Sequence, residues 1–140
     1  GLTNTKKSTT VEAIDWNTNG SGFQNAVSAI EKLVDAGFNG PYAMVTSASL
    51  YAMMHRVFST TGVLEIEMIR ELITDGVFQS PILKGNSAII IATGQENLDL
   101  VIAQDLTTAY LGPEGMDHLF RVFESMALRV KRPESICVFK

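Results

Sequence analysis

The sequence predicts an α+β domain in which three helices cover a mostly antiparallel sheet that includes one unusually long strand. In residues 23–36, 48–58 and 64–73, apolar residues recur at the spacing of amphipathic helices. After residue 76 the apolar period shortens toward two, which is the spacing of strands. Residues 119–131 keep that alternation over about twice a common strand length.

The composition is that of one globular domain with a hydrophobic core. The 140 residues are 46% hydrophobic and 19% charged, which excludes wholesale disorder. The net charge of −4 gives no general attraction to nucleic acid or to anionic lipid. The longest aliphatic run, residues 88–92, is far too short to span a bilayer. The single cysteine, Cys137, excludes an internal disulfide and indicates a reducing compartment.

The first part of the chain is predicted to contain an edge strand and a helix. Residues 11–16 alternate loosely, as an edge strand does. Residues 17–22 are Asn, Thr, Gly and Ser, a composition typical of a loop that can cap a helix. The helix that follows is expected to end at Gly37, because glycine readily adopts the left-handed conformation of a C-cap.

Residues 39–72 are predicted to form a strand, a helix, an exposed turn and a second helix. The strand is the apolar run 42–46, and the hydroxyl of Ser47 can cap the helix after it. The turn, residues 59–62, is small and polar, and Asp75 and Gly76 end the second helix. The two apolar stripes are Leu50, Met53, Met54, Val57 and Phe58, then Leu64, Met68, Ile69, Leu72 and Ile73. We expect both stripes to pack against one sheet.

The last part of the chain is predicted to consist of strands. We expect a short strand at residues 77–79, a central strand at 87–93 with residues 98–103 antiparallel to it, and a loop at 111–115. A closing strand is expected at residues 135–139.

The long strand 119–131 has one apolar face, made by Phe120, Val122, Met126, Leu128 and Val130. The three helices cannot cover it, so either a segment outside this chain or another subunit must.

The sequence offers little that could catalyse a reaction. His55 and His118 have no His or Cys at ligand spacing and are interpreted as solvated. Cys137 alternates with apolar residues and is interpreted as a small buried hydrophobe. Glu65 and Glu67 are two residues apart on a helix, where side chains diverge, so both are expected on a solvated face.

A loop that could bind an anion and a basic face of the long strand are both interpreted as structural features. Loop 19–22 precedes a helix and could hold an anion at the helix N-terminus, but it lacks the lysine and the apolar strand of a phosphate site. A plain connecting loop is favoured. A basic face is formed by Arg121, Arg129, Lys131 and Arg132. Ion pairing between subunits is favoured over nucleic-acid binding, because Phe123 is the one aromatic residue interleaved with these charges.

Six segments, in order, resemble the encapsulins, which are shell proteins of bacterial and archaeal nanocompartments, also known as linocin- or maritimacin-type bacteriocins. They are GPYAMV, LYAMMHRVF, TGVLEIEMIREL, GVFQSPILKG, AQDLTTAYLGPE and HLFRVFESMALRVKRPESICVF. The resemblance implies the major capsid protein fold of tailed phages, of the Hong Kong phage type. It covers the C-terminal part of such a protein, so that the N-terminal helix, E loop and spine helix would precede Gly1.

The resemblance also implies a division of the chain and a cellular setting. Residues 1–104 would be the A domain, residues 105–130 the returning P-domain strand region, and residues 131–140 the closing strand of the A domain. The shell would be cytoplasmic, would need no cofactor or metal, and would assemble from copies of itself. Its cargo would be a ferritin-like protein or a dye-decolorising peroxidase.

Two sets of site residues follow from the resemblance. The loop that lines the five-fold pore would be Phe58, Ser59, Thr60, Thr61 and Gly62. The groove that docks the cargo peptide would include Asp105, Leu106, Ala109 and Tyr110. No catalytic residue is implied.

The predicted function is therefore that of a structural shell protein, and this chain by itself is not expected to close a shell. One alternative is a prophage major capsid protein that encloses DNA, which a basic inner surface would favour and the net charge opposes. The other is a bacteriocin- or peptidase-type enzyme, for which the sequence supplies no nucleophile with an adjacent base.

Overall fold

A mixed sheet with three helices on one face and a long separate hairpin make up the structure. The computed structural model describes residues 2–13, 15–58 and 62–139. The helices are α1 Ser21–Asp35, α2 Ala48–Met53 and α3 Glu65–Leu72. The strands are β1 Thr9–Val11, β2 Tyr42–Ser47, β3 Val77–Ser80, β4 Ala88–Ala92, β5 Leu98–Glu114, β6 Asp117–Val130 and β7 Ile136–Phe139. Short 3₁₀ helices lie at Leu2–Asn4 and Pro133–Ser135.

The main sheet has the strand order β1-β7-β4-β2-β3. β1 is parallel to β7 and β2 is parallel to β3, whereas β4 is antiparallel to both of its neighbours. The prediction of a mostly antiparallel sheet is therefore wrong. The physical reason lies in the connection from β2 to β3, which passes through α2 and α3, since a helical crossover is what brings the next strand back parallel.

The pairing predicted for residues 98–103 is also wrong. Both edges of β4 are occupied, by β2 and by β7, so no edge is left for β5. β5 pairs instead with β6 in a two-stranded sheet of its own. The loop predicted at residues 111–115 is shorter than expected, because residues 111–114 still belong to β5.

The residues predicted to cap the end of α1 and the start of α2 do so in the structure. Gly37, at φ 89°, follows the last turn of α1, and its N–H donates to Val34 while that of Phe38 donates to Leu33. The Ser47 hydroxyl accepts a hydrogen bond from the Leu50 N–H at 3.4 Å and caps α2. The predicted helix to residue 58 is too long, because α2 ends at residue 53 and the chain then turns.

Two hydrophobic cores lie on opposite faces of the main sheet. The larger one packs α1 and α3 on the sheet around fully buried Leu33, Met44, Ile69 and Ile90. The smaller one, on the other face, contains Ile89, Ile91, Ile136 and Val138, with Leu2, Leu83, Leu98 and Val130 packed against it. Because Leu98 and Val130 are the first and last residues of the hairpin, this second core anchors its base.

Candidate assembly surface

The hairpin of β5 and β6 is the most exposed part of the structure. The two strands pair along their whole length, from Leu98 opposite Val130 to Glu114 opposite Asp117. At about 3.4 Å per residue, the 14 residues of β6 extend about 45 Å. Between residues 100 and 129, all but Ala109 and Gly112 are exposed.

One face of this hairpin is mostly apolar from its base almost to its tip, with Glu124 of β6 and Thr108 of β5 as polar residues on the same face. Residues directly opposite each other in an antiparallel pair share a face, and alternate residues along each strand do too. The apolar face comprises Leu98, Leu100, Ile102 and Tyr110 of β5 with Val130, Leu128, Met126, Val122 and Phe120 of β6. From Leu100 to Leu128 these side chains are 46–61% exposed. The predicted uncovered apolar face is confirmed, and it is wider than β6 alone.

β5 is irregular where β6 is regular. The register shifts between Ile102 and Gln104, between Gln104 and Thr107, and between Tyr110 and Gly112, and the extra residues lie in β5. Each such bulge breaks the alternation of its strand and increases the local twist. For this reason, the apolar face could be predicted from the alternation of residues in β6 but not from the sequence of β5.

Part of the basic face is paired within the chain. Arg129 binds Asp99 through two hydrogen bonds, Nη2 to Oδ2 at 2.6 Å and Nε to Oδ1 at 3.0 Å. Lys131 Nζ lies 2.9 Å from the same carboxylate. The hydrogen bonds from Arg129, and then from Lys131, hold the pKa of Asp99 well below its usual range. For Arg129 and Lys131, the prediction of pairing between subunits is corrected to pairing with Asp99.

The four residues of the predicted cargo groove lie on the hairpin but not on one face. Asp105 and Leu106 fall in the irregular stretch of β5, where the Leu106 side chain is 67% exposed. Tyr110 is on the apolar face, with its ring 5.2 Å from that of Phe120 and its hydroxyl 2.7 Å from Nδ1 of His118. Ala109 is on the opposite face.

The predicted pore loop is described at its two ends, and residues 59–61 lie outside the described residues. The Phe58 N–H donates to the Val63 carbonyl at 2.8 Å, and the Gly62 N–H donates to the Phe58 carbonyl at 2.9 Å. Val57 and Leu64 form a β-bridge just outside these bonds. The two ends of the turn predicted from the sequence, here the 58–62 turn, are therefore held together by these bonds.

Glu65, the first residue of α3, was predicted to be solvated, and this prediction is wrong. Glu65 is only 4% exposed, and its Oε1 accepts a hydrogen bond from the Phe23 N–H at 2.9 Å. Glu67 is exposed, because residues two apart diverge on a helix. The start of α1 binds the carboxyl group of Glu65, so the favoured interpretation of the segment before Phe23 as a plain connecting loop is corrected. The signal that pointed here was the small Gly20-Ser21-Gly22 sequence before the helix.

The other candidate reactive groups lie as their sequence context predicts. His55 and His118 are exposed, and Cys137 is a free, fully buried thiol whose pKa burial raises to about 11. Within residues 2–13, 15–58 and 62–139, no group of three or more His, Cys, Asp or Glu side chains could hold a metal ion. No helix in those same ranges is both long and apolar enough to cross a membrane.

Known shell proteins are similar to this chain in sequence. A family model described as "Encapsulating protein for peroxidase" matches residues 1–127. The chain is 47% identical, over all of its 140 residues, to the type 1 encapsulin shell protein EncA of Myxococcus xanthus, of which it covers 49%. It is 29% identical over 125 residues, 89% of this chain, to a ferritin-like-encapsulin shell fusion protein of Pyrococcus furiosus, of which it covers 36%. The chain thus spans at most about half the length of these relatives.

Solved structures confirm the predicted fold class. A virus-like particle from Pyrococcus furiosus matches 99% of this chain and 58% of that chain, with a TM-score of 0.87 at 27% identity. The capsid of the Myoviridae phage XM1 matches 99% of this chain and 52% of that chain, with a TM-score of 0.79 at 14% identity, which shows the fold alone. The α+β capsid fold of tailed phages, inferred from the sequence, is the fold of this chain.

Proposed function

Because this chain belongs to the encapsulin family (Linocin_M18), we propose that it is part of a shell protomer that self-assembles into an icosahedral nanocompartment around cargo proteins. Its role in that protomer is structural. The proposal assigns it no catalytic residue, cofactor or metal and places the shell in the cytoplasm. It agrees with the description of the family as an encapsulating protein for peroxidase.

The observation that carries this proposal is the exposed apolar face of the hairpin. It extends from Leu98 and Val130 at the base to Tyr110 and Phe120 near the tip. Exposed apolar surface of this extent marks an interaction surface. Burying it would favour association by about 25 cal/mol for each Å² removed from water. We propose that it is covered in the shell by the rest of the protomer or by a neighbouring protomer, since this chain accounts for 49% of the Myxococcus xanthus relative.

The division of the chain belongs to the same proposal. Residues 1–104 would form the A domain, residues 105–130 the returning P-domain strand region, and residues 131–140 the closing strand. The return of β7 supports the closing strand, whereas the hairpin already begins at Leu98, within the proposed A domain. The chain leaves the main sheet after β4 and enters the hairpin, and β7 then returns to pair with β1 and β4.

We propose that the 58–62 turn borders an opening of the shell and that Asp105, Leu106, Ala109 and Tyr110 contact a cargo peptide. The turn is closed at its base and exposed at Gly62, which suits a segment at the rim of an opening. Because Ala109 and Tyr110 face opposite sides, a peptide that contacts all four residues would lie along the edge of β5.

The cargo would be a ferritin-like protein or a dye-decolorising peroxidase. The family description names a peroxidase as the encapsulated protein, and the Pyrococcus furiosus relative joins a ferritin-like part to its shell part. The alternative of a phage capsid that encloses DNA shares the fold. The net charge of −4 opposes it, and Asp99 offsets part of the positive charge of Arg129 and Lys131.

The experiment that tests the proposal compares the full-length gene product with this chain. Light scattering over a range of concentrations, together with negative-stain images, should show closed, uniform particles for the full-length product and small species for this chain alone. A strictly monomeric full-length product would refute the shell function. Particles whose ultraviolet absorbance shows packaged nucleic acid would favour the phage capsid.

A further inference from the structure

An apolar groove lies on the face of the main sheet opposite α1 and α3, beside the second hydrophobic core. Its lining includes Val45 of β2 and Ile89 of β4, which pair directly with each other. Leu2, Ile82 and Leu83 complete the apolar part of the lining, and Ile82 is 85% exposed. The volume of the groove is about 330 Å³, near the lower end of the range of roughly 300–1,000 Å³ for ligand sites. The groove is therefore large enough to take an apolar side chain.

The charged residues nearest to this groove in the sequence are lysines. Among the described residues, none that lines the groove is charged. Within four positions of the lining in the sequence, the charged residues are Lys6, Lys7 and Lys84, and all three are exposed. An apolar groove with a basic surround favours an occupant that is apolar at its centre and acidic at its margins.

The tip of the β5–β6 hairpin has this combination of apolar and acidic residues. Met116 lies in the turn between the two strands and is fully exposed. Glu114, which ends β5, and Asp117, which begins β6, lie on either side of the turn as the last paired residues of the hairpin. Residues 111–119 contain no lysine or arginine. The tip is thus one apolar side chain between two carboxylates.

The length of the hairpin keeps the tip away from the groove of its own chain. At the base of the hairpin, Leu98 and Val130 pack against the second core, and that core shares Ile89 with the lining of the groove. From this base the strands extend about 45 Å to the tip. A tip that enters a groove must therefore enter the groove of another copy.

We propose that the tip of one copy docks in the groove of a second copy, with Met116 inside the groove and Glu114 and Asp117 facing the lysines around it. Because each copy contributes a tip and a groove, the contact is head-to-tail and joins copies into a ring or an open chain. The inference rests on the proposed function only for its consequence, which is that this contact joins protomers in the shell.

Cross-linking between two variants of this chain, each with one added cysteine, tests the contact. Met116→Cys mixed with Ile82→Cys and a short bis-maleimide should give a covalent dimer that contains one chain of each kind, identified by mass. Leu106→Cys, at an exposed position on the hairpin away from the tip, is the matched control for Met116→Cys. It should give roughly a tenth of the mixed dimer or less, because docking raises the effective concentration only at the tip. The wild-type chain should not be cross-linked, since Cys137 is fully buried.

Equal yields from Met116→Cys and Leu106→Cys would overturn the proposal, and so would dimers of Met116→Cys with itself alone. Both added cysteines replace exposed side chains, so the variants should fold as the wild type does.

Charge reversal tests the polar part of the contact, with the association constant measured by sedimentation at low salt. Lys84→Glu should weaken association of this chain roughly threefold or more, and Glu114→Lys in the same chain should restore most of the loss, because the attraction returns with its signs exchanged. Arg70→Glu, at an exposed position of α3 on the other face of the sheet, is the matched control and should have no effect. Failure of Glu114→Lys to restore association would contradict the proposed pairing.

The full-length product tests the consequence separately. Ile82→Cys should react with a maleimide in the free protomer and be protected in shells. Protection in the free protomer as well would show that another part of the same chain fills the groove, which would overturn the proposal. Met116→Ser should lower the fraction of protein in particles. Normal particles from Met116→Ser would refute the use of this contact in the shell and leave the shell function standing.

Discussion

The aromatic ring of Phe58 lies directly against Gly20, so close that the ring occupies the space a Cβ on Gly20 would need. Gly20 also has a φ of 87°, in the left-handed region that residues with a side chain rarely adopt. The contact joins the segment before α1, residues 17–20, to Phe58. Glycine is therefore required at position 20 for two separate reasons, the backbone conformation and the proximity of Phe58.

Replacement of Gly20 by alanine can separate these two reasons, because the chain offers a matched control. Gly37 has a φ of 89°, and a Cβ there would meet nothing within 4 Å. Gly37→Ala should lower the free energy of unfolding by about 1 kcal/mol through backbone strain alone. Gly20→Ala should lower it by about 1–3 kcal/mol more, through steric overlap with Phe58. Urea denaturation measures both, and equal losses would contradict the contact.

The apolar face of the hairpin predicts that phenylalanines three residues apart respond differently to substitution. Phe120 is on the apolar face and 61% exposed, whereas Phe123 is on the opposite face. In the full-length product, Phe120→Ser should reduce shell formation, because it removes apolar surface from the proposed interface. Phe123→Ser should affect assembly less. The measurement is the particle fraction by light scattering.

The same two variants should leave this chain folded. Because both side chains are exposed, each substitution should change its free energy of unfolding by less than about 1 kcal/mol. Equal loss of particles in both variants would argue against a role specific to the apolar face.

The ion pairs of Asp99 predict a dependence of hairpin stability on pH. The pKa of Asp99 in the folded chain lies below that of an unfolded chain, which is about 3.9. Its contribution is therefore present above about pH 4 and is lost as the pH falls below that value. Hydrogen exchange or thermal melting from pH 7 to pH 2 should show a larger acid-side loss in the wild type than in Asp99→Asn.

The effect of Asp99 should be modest and should shrink at high salt, because the ion pairs are largely solvated. Asp117→Asn, at the tip of the hairpin, is the matched control and should keep the acid-side loss of the wild type. Identical pH curves for the wild type and Asp99→Asn would show that these ion pairs do not stabilise the hairpin.

Burial of Cys137 predicts low thiol reactivity and an alkaline loss of stability. The thiol should react with a disulfide reagent at pH 8 only after the chain unfolds, since its pKa is raised to about 11. Because the pKa of the thiol in the folded chain lies above its ordinary value, its contribution to the free energy of unfolding is complete below about pH 9. That contribution decreases as the pH rises toward 11. Cys137→Ala should remove this alkaline dependence, although the cavity should lower the free energy of unfolding by about 1–2 kcal/mol. Rapid labelling of the native thiol would contradict the burial.

Helix ends and strand faces were predicted correctly where they depend on residues close together in the sequence. The ends of α1 and the cap of α2 depend on a glycine or a serine beside an apolar helix stripe, and Gly37 and Ser47 act as expected. The apolar face of β6 was visible because that strand contains no bulge. In β5 the alternation is broken, so its share of the same face could not be predicted.

By itself, the sequence determined the three described helices and most of the described strands, because apolar periodicity and capping act over a few residues. Only the tertiary structure decided which strands pair and where Glu65 points. Pairing depends on which strand edges are free once the whole sheet has formed, and both edges of β4 are occupied. Glu65 and Phe23 are 42 residues apart in the chain, and the carboxylate leaves the solvated face because α1 and α3 pack together and place a free N–H beside it.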